Sequence, residues 1–461
     1  MRRPALALTL LAALGLAAVP APALPRPLFT PGVTVGLAGN EPLVRAAPDG
    51  TLYISALQHL YVSTDAGRSW HSSPGSIYSS QLTLASDSSI AIDRTGRLYQ
   101  TFDYPYAGNT AVCTSDDRGA TFACNPAALA GGTDRMWLAL KDEKVSYLVT
   151  NEALYQTIFA TSHDRGATYV PAGTSAPLLD PTDGPLLVSP TTGAVVQPII
   201  DSFSGTASGV LRVYQTPEST TPTTHPIPIT DGVALPGGAY DRGGALYVTT
   251  ESTVMSGGKI ASVGVRIARS LDDGKTWTVL PVVPGTTTGT STFPAVGAGR
   301  SGHLGVVFYR TRTVGDPQSI AAKTVWDAVY AETHDARAAR PHWTETVLER
   351  GIHKGIICAS ASCMGNARFS GDFIDTSFDS HDRPLIAWVR DGKVADTTQV
   401  RFSAGNVATT VTPPKVVPPK VLPPKAHAPG KGGSLAATGG ASGLALLGLV
   451  LMAVAARRRR A

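Results

Sequence analysis

The chain has 461 residues, with 39 Lys+Arg against 34 Asp+Glu, a formal net charge of +5 and only four cysteines. The excess of base lies at the ends. Without Arg2, Arg3, Arg457 to Arg460 and the lysines of a Pro-rich segment (Lys415, Lys420, Lys425, Lys431), 29 basic residues face 34 acidic ones. A body of that charge argues against nucleic acid as a partner.

Residues 1–23 carry Arg2 and Arg3, an apolar run from Ala5 to Val19 and the small-residue exit Ala21-Pro22-Ala23. That order predicts a secretory signal peptide, absent from the mature chain. Export in turn favours disulfides, and the cysteines fall in two close pairs, Cys113 with Cys124 and Cys358 with Cys363. Neither pair has Cys-x-x-Cys spacing, which sets a four-thiol metal site behind two disulfides.

Residues 24–411 are built of short, alternating, β-branched runs with almost no helical periodicity, so the fold class is all-β. Within them one phrase recurs, Ser-x-Asp-x-Gly-x-Ser/Thr followed by an aromatic. The copies start at Ser63, Ser115, Ser162 and Ser270 and end on Trp70, Phe122, Tyr169 and Trp277. As a hairpin each makes physical sense: Ser and Asp bond the turn's N–H groups, Gly takes φ > 0, and the aromatic packs between sheets. The third and fourth copies fit best; the second is expected to carry an inserted residue or a shifted register. A spacing of about 50 residues marks a repeat architecture.

The phrase resembles the Asp-box of sialidase-type β-propellers, which implies four-stranded antiparallel blades around a central channel. With the second strand of each unit as a ruler, Leu52, Leu98, Ser146, Val195, Leu246, Leu304 and Pro384 align. That gives seven blades, with six open if one weak unit is an insertion. Third strands are expected near Tyr61, Val112, Phe159, Val213, Ile267, Tyr330 and Val400, and Leu28 to Val35 is expected to close the ring as an outer strand. The alignment also stacks Pro42, Pro185 and Pro294 at the start of the first strand.

The loops leading into strand one and out of strand two meet at one mouth of the channel. There the aligned columns bring together Asn40, Glu41, Asp87, Asp134, Arg135, Asp183 and Asp372, with Tyr104, Glu152, Arg310 and Arg390 at the ends of second strands. These are the candidate ligand contacts. Were the protein an enzyme, Asp134, Glu152 and Tyr104 would be its catalytic groups. Resemblance to sialidases implies three arginines on the substrate carboxylate, the first in an Arg-Ile-Pro motif, and a Tyr nucleophile with a Glu and an Asp. Here the motif's place is taken by Asn40-Glu41-Pro42, so one charge-assisted contact is lost beside an added negative charge. A substitute clamp would need Arg135, Arg310 and Arg390. Glu349 to Ser370, with His353 and the second cysteine pair, is read as a long loop beside the channel. His381 is read as a turn residue on the opposite face. No nucleophile triad, phosphate loop or metal motif stands out, and no cofactor is called for.

Residues 412–434 repeat Pro-Pro-Lys three times, a polyproline II spacer that cannot form a core. In residues 435–461, Leu435-Ala-Ala-Thr-Gly439 precedes an apolar run and four arginines. This resembles the cell-wall sorting signal of actinobacteria, which implies sortase cleavage after Thr438 and linkage to peptidoglycan; a plain membrane tail is the alternative. The sequence therefore points to a secreted, wall-anchored, sialidase-like β-propeller that binds a glycan or protein ligand. The alternative is an exo-acting glycoside hydrolase of altered specificity.

Overall fold

The computed structural model describes residues 29–37, 39–57, 59–73, 88–104, 108–130, 132–152, 157–174, 181–201, 208–214, 222–230, 236–281, 283, 288–358, 370–393 and 397–405. The signal peptide, the spacer and the sorting signal with Thr438 lie outside that set, as do Asp87 and Cys363. No helix among the described residues is long and apolar enough to cross a membrane.

Strands form seven antiparallel sheets; six are built from consecutive strands, one of these with a split inner strand, and the last takes its outer strand from the start of the chain. We call them blades 1 (42–72), 2 (88–130), 3 (132–174), 4 (181–230), 5 (237–279), 6 (290–354) and 7 (375–404). The seven aligned second-strand positions each open a second strand, from Leu52–Ala56 to Pro384–Asp391. Every expected third-strand marker lies in a third strand. The ring closes through Val33–Gly36, which pairs with the last strand, Thr398–Ala404 (Val33 opposite Phe402, Thr34 opposite Arg401), and so supplies blade 7 with its outer strand. The weakest first strand is in blade 4 rather than blade 5: Pro181–Asp183 and Leu187–Val188 flank a break at Pro185.

Burial explains the residue types. Second strands are sandwiched between neighbouring blades, so both faces are apolar, as in Leu52-Tyr53-Ile54, none of which is exposed. Outer strands face water, and His71–Ser72 is exposed throughout.

All four Asp-boxes close in the same way. In the first, Ser63 Oγ donates to Asp65 Oδ1 (2.8 Å), Gly67 N donates to Ser63 Oγ (2.9 Å), and Ser69 donates through N and Oγ to Asp65 (2.9 and 2.7 Å). The second copy repeats every one of these bonds with Ser115, Asp117, Gly119 and Thr121. The inserted residue or register shift expected there does not exist. Each box also puts two successive residues at positive φ, from Ala66 (63°) and Gly67 (88°) to Asp273 (54°) and Gly274 (85°). The glycine is required twice over, because its Cα rests on the preceding blade. A Cβ on Gly67 would stand 2.1 Å from the Phe402 ring of blade 7, and one on Gly166 would stand 2.9 Å from the Tyr99 ring of blade 2. The box is thus an inter-blade spacer as well as a turn.

A fifth box escaped the repeat pattern. In blade 6, Thr333 Oγ1 donates to Asp335 Oδ1 (2.6 Å), and His342, three residues later than the usual Ser/Thr, bonds Asp335 through its N and Nδ1 (2.8 and 2.6 Å). Cys113 and Cys124 stand opposite each other on adjacent strands of blade 2 and form a disulfide. Cys358 is disulfide-bonded too; its expected partner Cys363 lies outside the described residues.

Candidate functional site

The first strands of all seven blades line a central cavity of about 420 Å³. Its wall runs from Pro185, Pro236, Pro294 and Phe373 at one end to Leu140, Tyr240, Ala298 and Phe378 at the other, and is mostly apolar. Pro236 extends the proline column by a fourth member. Pairing of Arg45 with Asp375 Oδ2, which also accepts Val44 N (2.8 Å), puts the one described ion pair of that wall on the seam between blades 1 and 7.

At the entrance of the first strands the backbone turns left-handed at equivalent places. Glu41 (53°), Arg135 (51°) and Phe293 (56°) occupy the same aligned column in blades 1, 3 and 6, and all have positive φ. In blades 3 and 6 this coincides with a register shift, between Asp134 and Trp137 and between Thr292 and Ala295. Such a bulge changes which residues face the partner strand at this end of the blade.

Three candidates meet there across the ring. Arg135 of blade 3 reaches Asp372 of blade 7, Nη2 to Oδ2 3.3 Å, with both side chains largely buried. Glu41 of blade 1, buried at 5 % exposure, accepts the Asp372 N–H on Oε1 (2.9 Å), while its own N–H donates to Ser370 O (3.1 Å). Gly371 permits this approach: it has φ +69°, and a Cβ there would stand 2.4 Å from Glu41. Beneath the ion pair Trp137 and Phe373 meet, ring centroids 5.5 Å apart at 46°. Charge above and aromatic surface below therefore span the mouth from blade 3 to blade 7. Two polar atoms here, Asn40 Oδ1 and Trp137 Nε1, are buried with no hydrogen-bond partner among the described residues. Buried donors and acceptors are rarely left so.

The other arginines turn away. Arg310 donates to Glu345 Oε1 (2.6 Å) on the outer strand of its own blade. Arg390 donates to Glu349 (2.5 Å), whose other oxygen takes Trp388 Nε1 (3.0 Å) and Arg401 Nε (2.9 Å). That carboxylate joins blades 6 and 7, so a three-arginine clamp does not assemble. His353 belongs to the strand Thr344–Lys354 rather than to a loop, and its nitrogens bond Asp391 Oδ1 and Ile356 O, both at 2.9 Å. The expected loop is therefore shorter than Glu349 to Ser370, and residues 359–369 of it are not described. Asp183 is fully buried beneath the mouth. It and Arg212 act in opposite senses on the Tyr214 hydroxyl, whose pKa burial pushes up to about 12. Asp134, Tyr104 and Glu152 occupy the mouth ends of their strands, Glu152 paired with Gly132 and Asp134 with Asn151; their side chains lie outside the described set. His381 N donates to Asp379 Oδ1 (2.9 Å) in the turn between strands one and two, away from the mouth.

One carboxyl at this end is made less acidic. Glu251 is buried beside Thr292 and Phe293, and burial pushes it above 4.5, opposed by hydrogen bonds from Thr292 Oγ1 and Phe293 N. The space beside it, about 20 Å³, admits a water but no sugar.

No protein-family model and no curated protein matches the chain. Solved structures with a similar architecture include an α-L-arabinanase of Penicillium chrysogenum (15% identity, 61% of this chain and 94% of that one, TM-score 0.41). A Hadza microbial sialidase aligns at 13% identity over 78% and 74% with TM-score 0.43. The endosialidase of phage phi92 aligns at 10% over 85% and 71% with TM-score 0.45. These are likenesses of the propeller framework alone.

Proposed function

We propose that this protein is exported, held at the bacterial wall by its C-terminal signal, and engages a carbohydrate at the channel mouth between blades 3 and 7. The observation that supports the reading best is the Trp137/Phe373 aromatic contact at the level of the Arg135–Asp372 pair, joining blades 3 and 7. A sugar presents apolar C–H faces and hydroxyls that both donate and accept, which suits an aromatic surface bordered by charged and polar side chains. Glu41 and Asp372 beside a single arginine disfavour an anionic sugar, so the ligand is neutral or cationic.

Hydrolysis is the second reading. It is favoured by the strand pairing that sets Asp134 and Glu152 at the ends of adjacent strands at this same mouth. Acid/base attack on a glycosidic bond needs two carboxylic residues, and both stand at this end of their strands. A sialidase mechanism is not the form it would take, since Arg310 and Arg390 are committed to Glu345 and Glu349.

A glycan array on the secreted protein, run beside turnover of a fluorogenic sialoside, galactoside and hexosaminide, tests both. Phe373→Ala is expected to weaken binding about tenfold, a loss of about 1.4 kcal/mol. Turnover lost in Glu152→Gln would establish hydrolysis, and silence in every assay would remove the proposal. Anchoring is tested separately: Thr438→Ala should release the chain from the wall fraction.

A further inference from the structure

On the face opposite the mouth, four side chains from blades 6 and 7 converge around one imidazole. His303 precedes the second strand of blade 6 and is 3 % exposed. Its ring lies 4.6 Å from that of Phe378 and 4.1 Å from that of His334. Nδ1 stands 2.6 Å from Asp382 Oδ2, and Nε2 stands 2.6 Å from Glu332 Oε1. Both neighbours are carboxylates, so both ring nitrogens face acceptors.

Asp382 is already compensated. Its Oδ1 accepts Arg300 N (2.5 Å) and lies 3.6 Å from Arg242 Nη1, while Oδ2 lies 3.5 Å from Arg300 Nε. Its role toward the histidine is to take Nδ1–H and fix the ring, as carboxylates do behind metal-bound imidazoles. The Nε2 lone pair then faces a Glu332 oxygen, and two lone pairs at 2.6 Å require a cation between them. A proton would satisfy those two groups alone. His334, two residues beyond Glu332, brings a third donor: the ligand atoms of His303, Glu332 and His334 all lie within 4.8 Å of one another.

We propose that His303, Glu332 and His334 form a binding site for a divalent transition ion of the zinc class, with Asp382 orienting His303. Two imidazoles and one carboxylate match the donor preference of zinc and leave a fourth position for water. Ligand bonds of about 2.0–2.2 Å in tetrahedral geometry require the His303–Glu332 gap to widen by about 0.8 Å, within the reach of Glu332 side-chain rotation. The ion would join the third strand of blade 6 to the turn preceding its second strand, next to the seam with blade 7.

The test uses the full secreted protein after chelator treatment, titrated with zinc chloride alone. One zinc per chain should bind and raise the unfolding temperature. Glu332→Gln and His334→Ala should each weaken binding at least tenfold, while His381→Ala, an exposed histidine of the neighbouring turn, should not. Because a variant here can misfold, cobalt(II) added to the unaltered chain gives a second readout, visible d–d bands of a nitrogen-ligated site that zinc abolishes. No zinc uptake, or unchanged affinity in both variants, would overturn the assignment and leave a proton as the shared cation.

Discussion

The two faces of the propeller use the same residue types for opposite ends. On the turn face, aspartates are spent on their own backbone: Asp65, Asp117, Asp164 and Asp272 each accept the bonds that close a hairpin. Hydrogen bonds from Thr121 hold Asp117 at about 2, and those from Thr333 and His342 do the same for Asp335. At the mouth, carboxylates reach between blades instead, Glu41 to the backbone of Asp372 and Asp372 to Arg135. These bonds close each hairpin within its own blade, and only the packing of the box glycine then involves the blade before it. The contacts Glu41 and Asp372 make join blades 1, 3 and 7 and exist only when the ring is closed.

Breaking the framework should therefore cost most. Gly67→Ala adds a Cβ at φ +88° directly against Phe402, across the seam between the first and last blades. Left-handed strain and overpacking together should cost about 3 kcal/mol, seen as a lowered unfolding temperature. Glycan affinity of the molecules still folded should be unchanged. Equal losses of stability and affinity would mean that the two faces are not separable. Removing the blade 2 clamp with Cys113→Ser and Cys124→Ser should cost about 2–3 kcal/mol, because the bridge closes a short loop whose entropy returns to the unfolded chain. Asp272→Ala should cost about 1–2 kcal/mol at neutral pH, less than a fully buried charge-assisted set because the turn is largely solvated.

The framework was legible because its information is local. A Ser, an Asp and a Gly at fixed spacing dictate a turn, and buried second strands recur with the same apolar signature. Even so, the fifth box was hidden by three extra residues before His342, a change that a fixed-spacing phrase does not tolerate. At the mouth, alignment put Glu41 and Arg135 in one column and Asp372 in the column before it. Their pairing was not readable, since it depends on which blades stand opposite one another. Arg310 and Arg390 show the same limit: their position along the strand was foreseen, but a glutamate on an outer strand decided where each side chain went. The His303 cluster joins turns more than 70 residues apart and has no sequence phrase at all.

Acid titration sharpens the comparison, with the smallest effect and the clearest sign. Asp117 and Asp335 have folded pKa values of about 2 against 3.8 unfolded, so their stabilisation is complete above 3.8 and is lost as pH falls toward 2. Glu251 runs the other way. Burial raises it above 4.5, so its contribution is complete below 4.5 and is lost as pH rises through the folded value. Glu251→Gln keeps an oxygen to accept Phe293 N and Thr292 Oγ1 but has no charge to bury. Its unfolding temperature should match or exceed that of the natural chain at pH 7, by an amount worth under about 1 kcal/mol, and should vary less between pH 4.5 and 7. Asp117→Ala should instead flatten only the profile below pH 4. A Glu251→Gln protein that is less stable at pH 7, with an unaltered slope, would mean that the carboxylate is charged and held by a cation, and the mouth would then share the electrostatics of the turn face.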